Sequence, residues 1–145
     1  MTVSIQILGP DDRAVLSQVA PDVFDNEVDP DLAREFLHDP RHHIAVAMEE
    51  GMVVGFASAV HYVHPDKPPE LWINEVGVAP THHSRGIGKQ VLSAILDVGR
   101  TLGCHEAWVL TDRSNVAAMR LSHAVGGGEA SDHAMITFDL DSATS

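Results

Sequence analysis

His83-Ser84-Arg85-Gly86-Ile87-Gly88-Lys89-Gln90 sets two glycines one residue apart between an apolar strand and an amphipathic helix. Upstream, Val76 and Val78 belong to a strand that Pro80 ends; downstream, Ile87, Val91, Leu92, Ile95, Val98 and Leu102 recur at helical spacing. The helix therefore begins inside the glycine turn. The first turn of a helix presents about four N–H groups without intrahelical partners and the positive end of the dipole, so this turn attracts phosphate. Gly86 and Gly88 lack a Cβ and leave those amides open to a pyrophosphate. A Walker loop requires G-x-x-x-x-G-K-[ST], and Gly88-Lys89-Gln90 lacks the hydroxyl and the upstream glycine. A dinucleotide fingerprint requires a third glycine where Val91 stands.

Working outward, the chain reads as one α/β unit over residues 1–145, without repeats or linkers. Val3, Ile5 and Ile7 alternate as a strand, residues 11–20 read as helical, and Asp29-Pro30 opens a short helix that stops by Asp39-Pro40. Residues 44–48 and 53–62 form a hairpin about Glu50-Gly51, and a proline-rich loop leads to a central strand at 71–78. After the glycine-led helix come a strand at 106–111, a helix opened by Ser114 or Asn115 and closed by Gly126, and a last strand near 133–140. Trp72 and Trp108 fall in apolar strands and read as core.

Composition limits the function. The balance of 21 Asp plus Glu against 9 Lys plus Arg argues against nucleic acid, where phosphate neutralisation dominates affinity, and favours a cationic partner. No apolar run approaches the roughly 18 residues a bilayer span needs, and no signal start is present, so no membrane partner and a cytoplasmic location are expected. Cys104 is the single cysteine and reads as a buried, inert thiol. His61 and His64 lack matching third and fourth ligands, so no metal is expected. Acids crowd residues 22–39, opposed there only by Arg34. They read either as a solvated helix face or as a rim that concentrates a polycation.

The turn Arg85-Gly86-Ile87-Gly88, following Asn74-Glu75-Val76-Gly77-Val78-Ala79-Pro80, resembles the Q/R-x-x-G-x-G/A turn of the GNAT superfamily of N-acetyltransferases. The stretch Asn115-Val-Ala-Ala118-Met-Arg-Leu121-Ser122-His-Ala-Val125-Gly126 resembles the family's N-x-x-A-x-x-L-Y-x-x-x-G helix. The resemblance implies a mixed, mostly antiparallel central sheet flanked by about four helices, with acetyl-CoA as co-substrate. It implies cofactor contacts from Val76, Val78, His83, Ser84, Arg85, Gly86, Gly88, Lys89 and Asn115. Two positions depart from the family: His83 stands in place of Arg or Gln, and Ser122 in place of the tyrosine proposed to protonate the departing thiolate. A thiolate whose acid has a pKa of about 8.5 leaves with little help, so Ser122 reads either as a water-ordering group or as a small residue packed beside the cofactor.

Acetyl transfer needs a base for the amine and amide donors for the oxyanion. Glu75 is the candidate base, on the strand face opposite Val76 and Val78 unless a bulge intervenes; an edge carboxylate in a salt bridge is the alternative. Within the superfamily the chain is similar to small gentamicin-type aminoglycoside 3-N-acetyltransferases, through residues 29–37, Val53-Val54-Gly55, residues 70–76 and Phe138-Asp139-Leu140-Asp141-Ser142. That resemblance implies direct transfer to an aminoglycoside amine, the 3-N position, conferring antibiotic resistance. Asp25, Glu27, Asp29, Asp31 and Glu35 would then draw in the polycation. A GNAT acting on another small amine, a polyamine or a protein N-terminus stays open. So does a non-catalytic acyl-CoA-binding module, motivated by Ser122 and His83; both a monomer and a homodimer are compatible with the sequence.

Overall fold

The structure, a computed structural model, describes residues 2–130 and 132–141; Met1 and Ser142, at the ends of the expected domain and of the C-terminal match, lie outside them. Five strands, β1 (Ser4–Ile7), β2 (His42–Glu49), β3 (Met52–Tyr62), β4 (Glu70–Val78) and β5 (Ala107–Val109), lie side by side in chain order. The first four pair antiparallel, and β5 joins β4 parallel. The helices are α1 (Pro30–His38), α2 (Ile87–Thr101) and α3 (Val116–Ala124), with 3-10 helices at Pro10–Ser17 and Pro80–His82. The expected mixed, mostly antiparallel sheet with about four flanking helices is present.

Small residues bring α2 onto the sheet. Ala45, Ala47, Ala57 and Ala59 are fully buried on one face, and Ile87, Val91 and Ile95 of α2 fill the space above it. Each buried aliphatic side chain contributes about 1.5–3 kcal/mol. Gly103, at φ +84°, stops α2, and the Cys104 N–H closes the turn onto the Gly99 carbonyl at 3.0 Å. The opposite face carries Val54 and Phe56 under the 3-10 helix, α1 and the connection between them, where Phe24 stacks on Phe56 at 4.1 Å. At α1 the Asp29 carboxylate accepts from the Asp31 and Leu32 N–H groups, and Pro30 follows at the first helical position.

Four expectations are corrected. Residues 11–20 are helical only as far as Ser17, within a 3-10 helix, and the backbone at 18–20 pairs with the start of β3: Val53 N–H reaches the Gln18 carbonyl at 2.8 Å and Ala20 N–H the Val53 carbonyl at 2.9 Å. The strand expected at 106–111 is confined to Ala107–Val109. No strand forms at 133–140; Met135, Ile136, Phe138 and Leu140 are 69%, 75%, 81% and 92% exposed. Alternation there specifies an apolar face but not the neighbour that would bury it. Neither Trp72 nor Trp108 is core: Trp72 is 38% exposed and Trp108 only half-buried, because the helices cover only the Phe56 end of this sheet face.

Among the described residues no helix is long and apolar enough to cross a membrane. Cys104 sits half-buried against the core, and burial pushes its thiol upward, with a smaller contribution from Glu70. That makes it a poor nucleophile.

Candidate active site

The site is built where β4 and β5 part. The two strands pair only from Leu71 to Ile73 against Ala107 to Val109, whereas β4 runs on to Val78. At the fork β4 carries one extra residue: Ile73 pairs with Ala59 and Glu75 with Ser58, leaving Asn74 as a bulge. Paired residues share a face, so the bulge puts Glu75 with Trp72 rather than with Leu71 and Ile73. Val76 and Val78 point to the α2 side, opposite Glu75, as alternation predicts.

The same register opens β4's outer edge. Ala79 N–H bonds the Val54 carbonyl at 2.8 Å, so by alternation Gly77 and Glu75 face β3 while the backbone groups of Val76 and Val78 face the fork. The carbonyl of Val78 is taken by the His83 ring, whose Nε2 donates to it at 3.1 Å. His83 is thereby a brace between the turn and β4.

Beside this edge α2 begins. Gly86 is its N-cap at φ +76°, a left-handed conformation that favours glycine, and no side chain caps the helix. The Gln90 N–H is bonded back to the Gly86 carbonyl at 3.1 Å, so the amides before it have no acceptor within the helix. The first turn holds no acidic residue and carries the exposed Lys89. A cation at the positive end of a helix is unfavourable by itself and becomes favourable once an anion sits between them. Gly88 packs within the structure: a Cβ there would meet Leu121 Cδ2 at 3.3 Å and Val78 Cγ2 at 3.6 Å, so its absence draws β4, α2 and α3 together. These features fit a pyrophosphate.

Glu49, which no sequence motif marks, anchors the turn from beneath. It is 8% exposed, accepts from Arg85 Nη2 at 2.8 Å and lies 3.0 Å from His82 Nε2. Those two contacts, Arg85 first, hold its carboxyl below the usual range. Arg85 is thus committed to Glu49, with its guanidinium still partly exposed. Its one sequence signal is a carboxylate ending the apolar run 44–48.

Glu75 is solvent-accessible, and its carboxyl is pushed up, first by partial burial and then by the charge of Asp25. The connection bearing Asp25 descends onto β4 at Gly77, where a Cβ would lie 2.5 Å from the Val23 carbonyl. Asp25 and Glu27 line an open groove of about 1240 Å³ with Asp22 and Asp11; Asp29, Asp31 and Glu35 do not line it. Asp29 is engaged as the α1 cap, and Asp31 lies 3.8 Å from Arg34. Neither Glu75 nor the glycine turn lines that groove. On the other side of the fork, Ser122 lines a groove of about 290 Å³ with Ile73 and Val109, the last paired residues of β4 and β5. Asn115 caps α3, accepting from the Ala118 N–H at 3.1 Å. Ser84 is exposed in the turn, at φ +64°. His61 bonds to His43 and His64 to Asp66, so the H-x-x-H pair turns to separate partners.

A forked sheet beside an uncapped, glycine-led helix gives an α/β fold whose open strand edge meets a phosphate-binding turn. Residues 13–126 match the acetyltransferase (GNAT) family, and the chain belongs to that family, whose members use acetyl-CoA. It is 32% identical over 94 residues to the L-methionine sulfoximine/L-methionine sulfone acetyltransferase of Salmonella typhimurium, covering 65% of this chain and 53% of that one. It is 31% identical over 90 residues to the aminoglycoside N(6')-acetyltransferase type 1 of the same organism, covering 58% and 62%. The alignments thus span a little over half of each relative's length. Among solved structures it resembles AAC(6')-Iy in complex with a CoA-S-monomethyl-acetylneamine bisubstrate analogue (TM-score 0.78, 22% identity, 96% and 98% coverage). It likewise resembles the aminoglycoside acetyltransferase meta-AAC0020 from an uncultured soil metagenomic sample (TM-score 0.79, 19% identity, 94% and 97% coverage). At these identities the likeness is one of fold. The aminoglycoside relative is of the N(6') type, whereas the sequence motifs resemble 3-N enzymes.

Proposed function

We propose that this chain transfers acetyl from acetyl-CoA to an amine of an aminoglycoside, by direct attack in a ternary complex. The observation that carries the reading is the outer edge of β4 beyond its pairing with β5, where the backbone N–H groups of Val76 and Val78 face the fork beside the uncapped start of α2. In this reading the α2 amides, Ser84 and Lys89 hold the pyrophosphate, while Arg85 and His83 keep the turn in place. The amides of Val76 and Val78 hold the pantetheine arm and the thioester oxygen, and Asn115 holds the start of the helix beside that arm. Glu75 removes the ammonium proton from the acceptor. Glu75 and the Ser122 groove lie on opposite sides of the fork, so the amine can add to one face of the thioester carbonyl and the tetrahedral oxyanion can then expel the thiolate toward the groove. Ser122 is suited to ordering a water beside the departing sulfur, which needs no strong acid. Asp25 and Glu27 attract the polycationic acceptor, with Asp31 and Glu35 adding to the field.

The test is release of CoA thiol over a panel of aminoglycosides, linear polyamines, amino acids and peptide N-termini, with the acetylated nitrogen located by NMR. The 3-N amine is the position the sequence motifs favour, and the product spectrum distinguishes it from 6'-N. Glu75→Gln should lower kcat by about 10² to 10⁴ and leave acetyl-CoA affinity unchanged. Its raised carboxyl places the acidic limb of the rate profile above the ordinary carboxylate range, and Asp25→Asn should move that limb to lower pH. Turnover of peptides but of no aminoglycoside would reassign the acceptor, and CoA binding without thiol release would make the chain a binding module.

A further inference from the structure

The open part of the Glu75 face carries an aromatic surface that the reading so far leaves unused. Trp72 and Trp108, in register on β4 and β5, stack at 5.1 Å with 12° between their planes. Beside them on the same face, on the side away from Glu75, Glu70 Oε1 accepts from Tyr62 Oη at 2.9 Å and from Trp108 Nε1 at 3.2 Å. Trp108 is therefore locked in orientation, and Trp72 is held against it with its remaining area toward solvent. On β3, the partners of Trp72 and Glu75 are Val60 and Ser58, one strand period apart. That puts Trp72 about 7 Å along the same face from the candidate base.

We propose that the Trp72–Trp108 pair is an acceptor subsite, on which a ring of a polycationic amino sugar stacks while a neighbouring amine is presented at Glu75. Three features of the surface suit that ligand. An indole face attracts cations and the C–H face of a saturated ring, and tryptophan does so best among the aromatics. The Glu70 carboxylate, on the same face one strand period beyond Trp72, adds negative charge beside the pair. Asp25 sits on the far side of Glu75, so the candidate base lies between an acidic loop and an aromatic floor, a spacing suited to a ligand of several rings. A linear polyamine satisfies the charge but leaves the ring surface empty.

The subsite rests on the aminoglycoside reading and is tested separately from it. Trp72 and Trp108 are the only tryptophans in the chain, so intrinsic fluorescence reports on this pair alone. Titration of the protein with sisomicin should shift or quench that fluorescence, and spermidine should do so weakly. Trp72→Ala should raise the KM for sisomicin about tenfold, raise that for spermidine about twofold or less, and leave the KM for acetyl-CoA unchanged. Trp72→Phe, which preserves packing on Trp108, should fall between. Fluorescence that ignores saturating sisomicin, or a Trp72→Ala enzyme with wild-type sisomicin KM, overturns the subsite while leaving the acetyltransferase reading intact. Quenching by sisomicin without any turnover supports the subsite and overturns the proposed reaction.

Discussion

Gly86 and Gly88 are needed for different physical reasons. At Gly86 a side chain finds open space but a backbone angle of +76°, so Gly86→Ala stores about 1–2 kcal/mol of strain in the turn. At Gly88 the angle is not at issue, and valine would push on Leu121 and Val78 from 3.3 Å and 3.6 Å. We expect Gly86→Ala to weaken acetyl-CoA binding severalfold and to lower stability by no more than that strain. Gly88→Val should lose binding together with about 1–3 kcal/mol of stability as α3 is displaced from α2. Calorimetry and thermal unfolding on the same samples separate the two. Wild-type affinity in both variants removes the phosphate cradle. The spacing of the two glycines was readable in the sequence because the turn is local. The division of roles was not, because Leu121 reaches Gly88 from more than thirty positions away.

Among the elements, β2 and β3 are tied where they begin and end by a histidine pair. His43 Nε2 and His61 Nδ1 are 2.7 Å apart and the rings stack at 5.0 Å, an arrangement in which one ring donates and the other accepts. Burial first, and then the charge of His61, hold His43 down to about 4. Its unfolded form titrates near 6.5, so between those values the unfolded chain binds a proton that the folded chain refuses. Stability is undiminished by this pair above pH 6.5 and falls as the pH drops toward 4. The loss is about 1–2 kcal/mol once screening at a half-exposed site is allowed for. Urea unfolding at pH 7 and pH 4.5 should show a smaller acid loss for His43→Gln than for wild type; equal losses would assign the effect to other groups. The pairing of these strands was legible as a hairpin about Glu50-Gly51. The contact across its open end depends on register, which alternation alone does not set.

For the molecule as a whole, the formal charge of −12 is unevenly spread: residues 22–39 hold seven acids against Arg34 alone, although Arg13 and Arg34 both line the groove beside Asp25 and Glu27. The acceptor KM should rise steeply with salt, since ions confine the field to about 8 Å at physiological strength, while the KM for acetyl-CoA stays level or falls. Asp25→Asn with Glu27→Gln should reproduce the effect of salt, and salt-independent acceptor kinetics would return these acids to the role of a solvated surface. The order of elements from β1 to α3 was legible because each depends on local periodicity, caps and turn residues. Three features were not, because each is decided by distant chain: the exposure of Trp72, the use of residues 18–20 as a partner for Val53, and the missing strand at 133–140. The acidic run divided for the same reason, with Asp29 drawn into capping α1 while Asp25 was brought to Glu75 by the close approach at Gly77.

The bulge at Asn74 makes chain length, rather than side-chain identity, the determinant of this face. Asn74→Ala should pass almost unnoticed, since the residue acts by being inserted. Deleting it would leave Glu75 directly after Ile73 and still on the Trp72 side, but on a straighter strand with less reason to part from β5. A relative one residue shorter here can therefore present the same groups to its substrate, and an alignment that refuses a gap at this point would pair Glu75 with a residue of the opposite face.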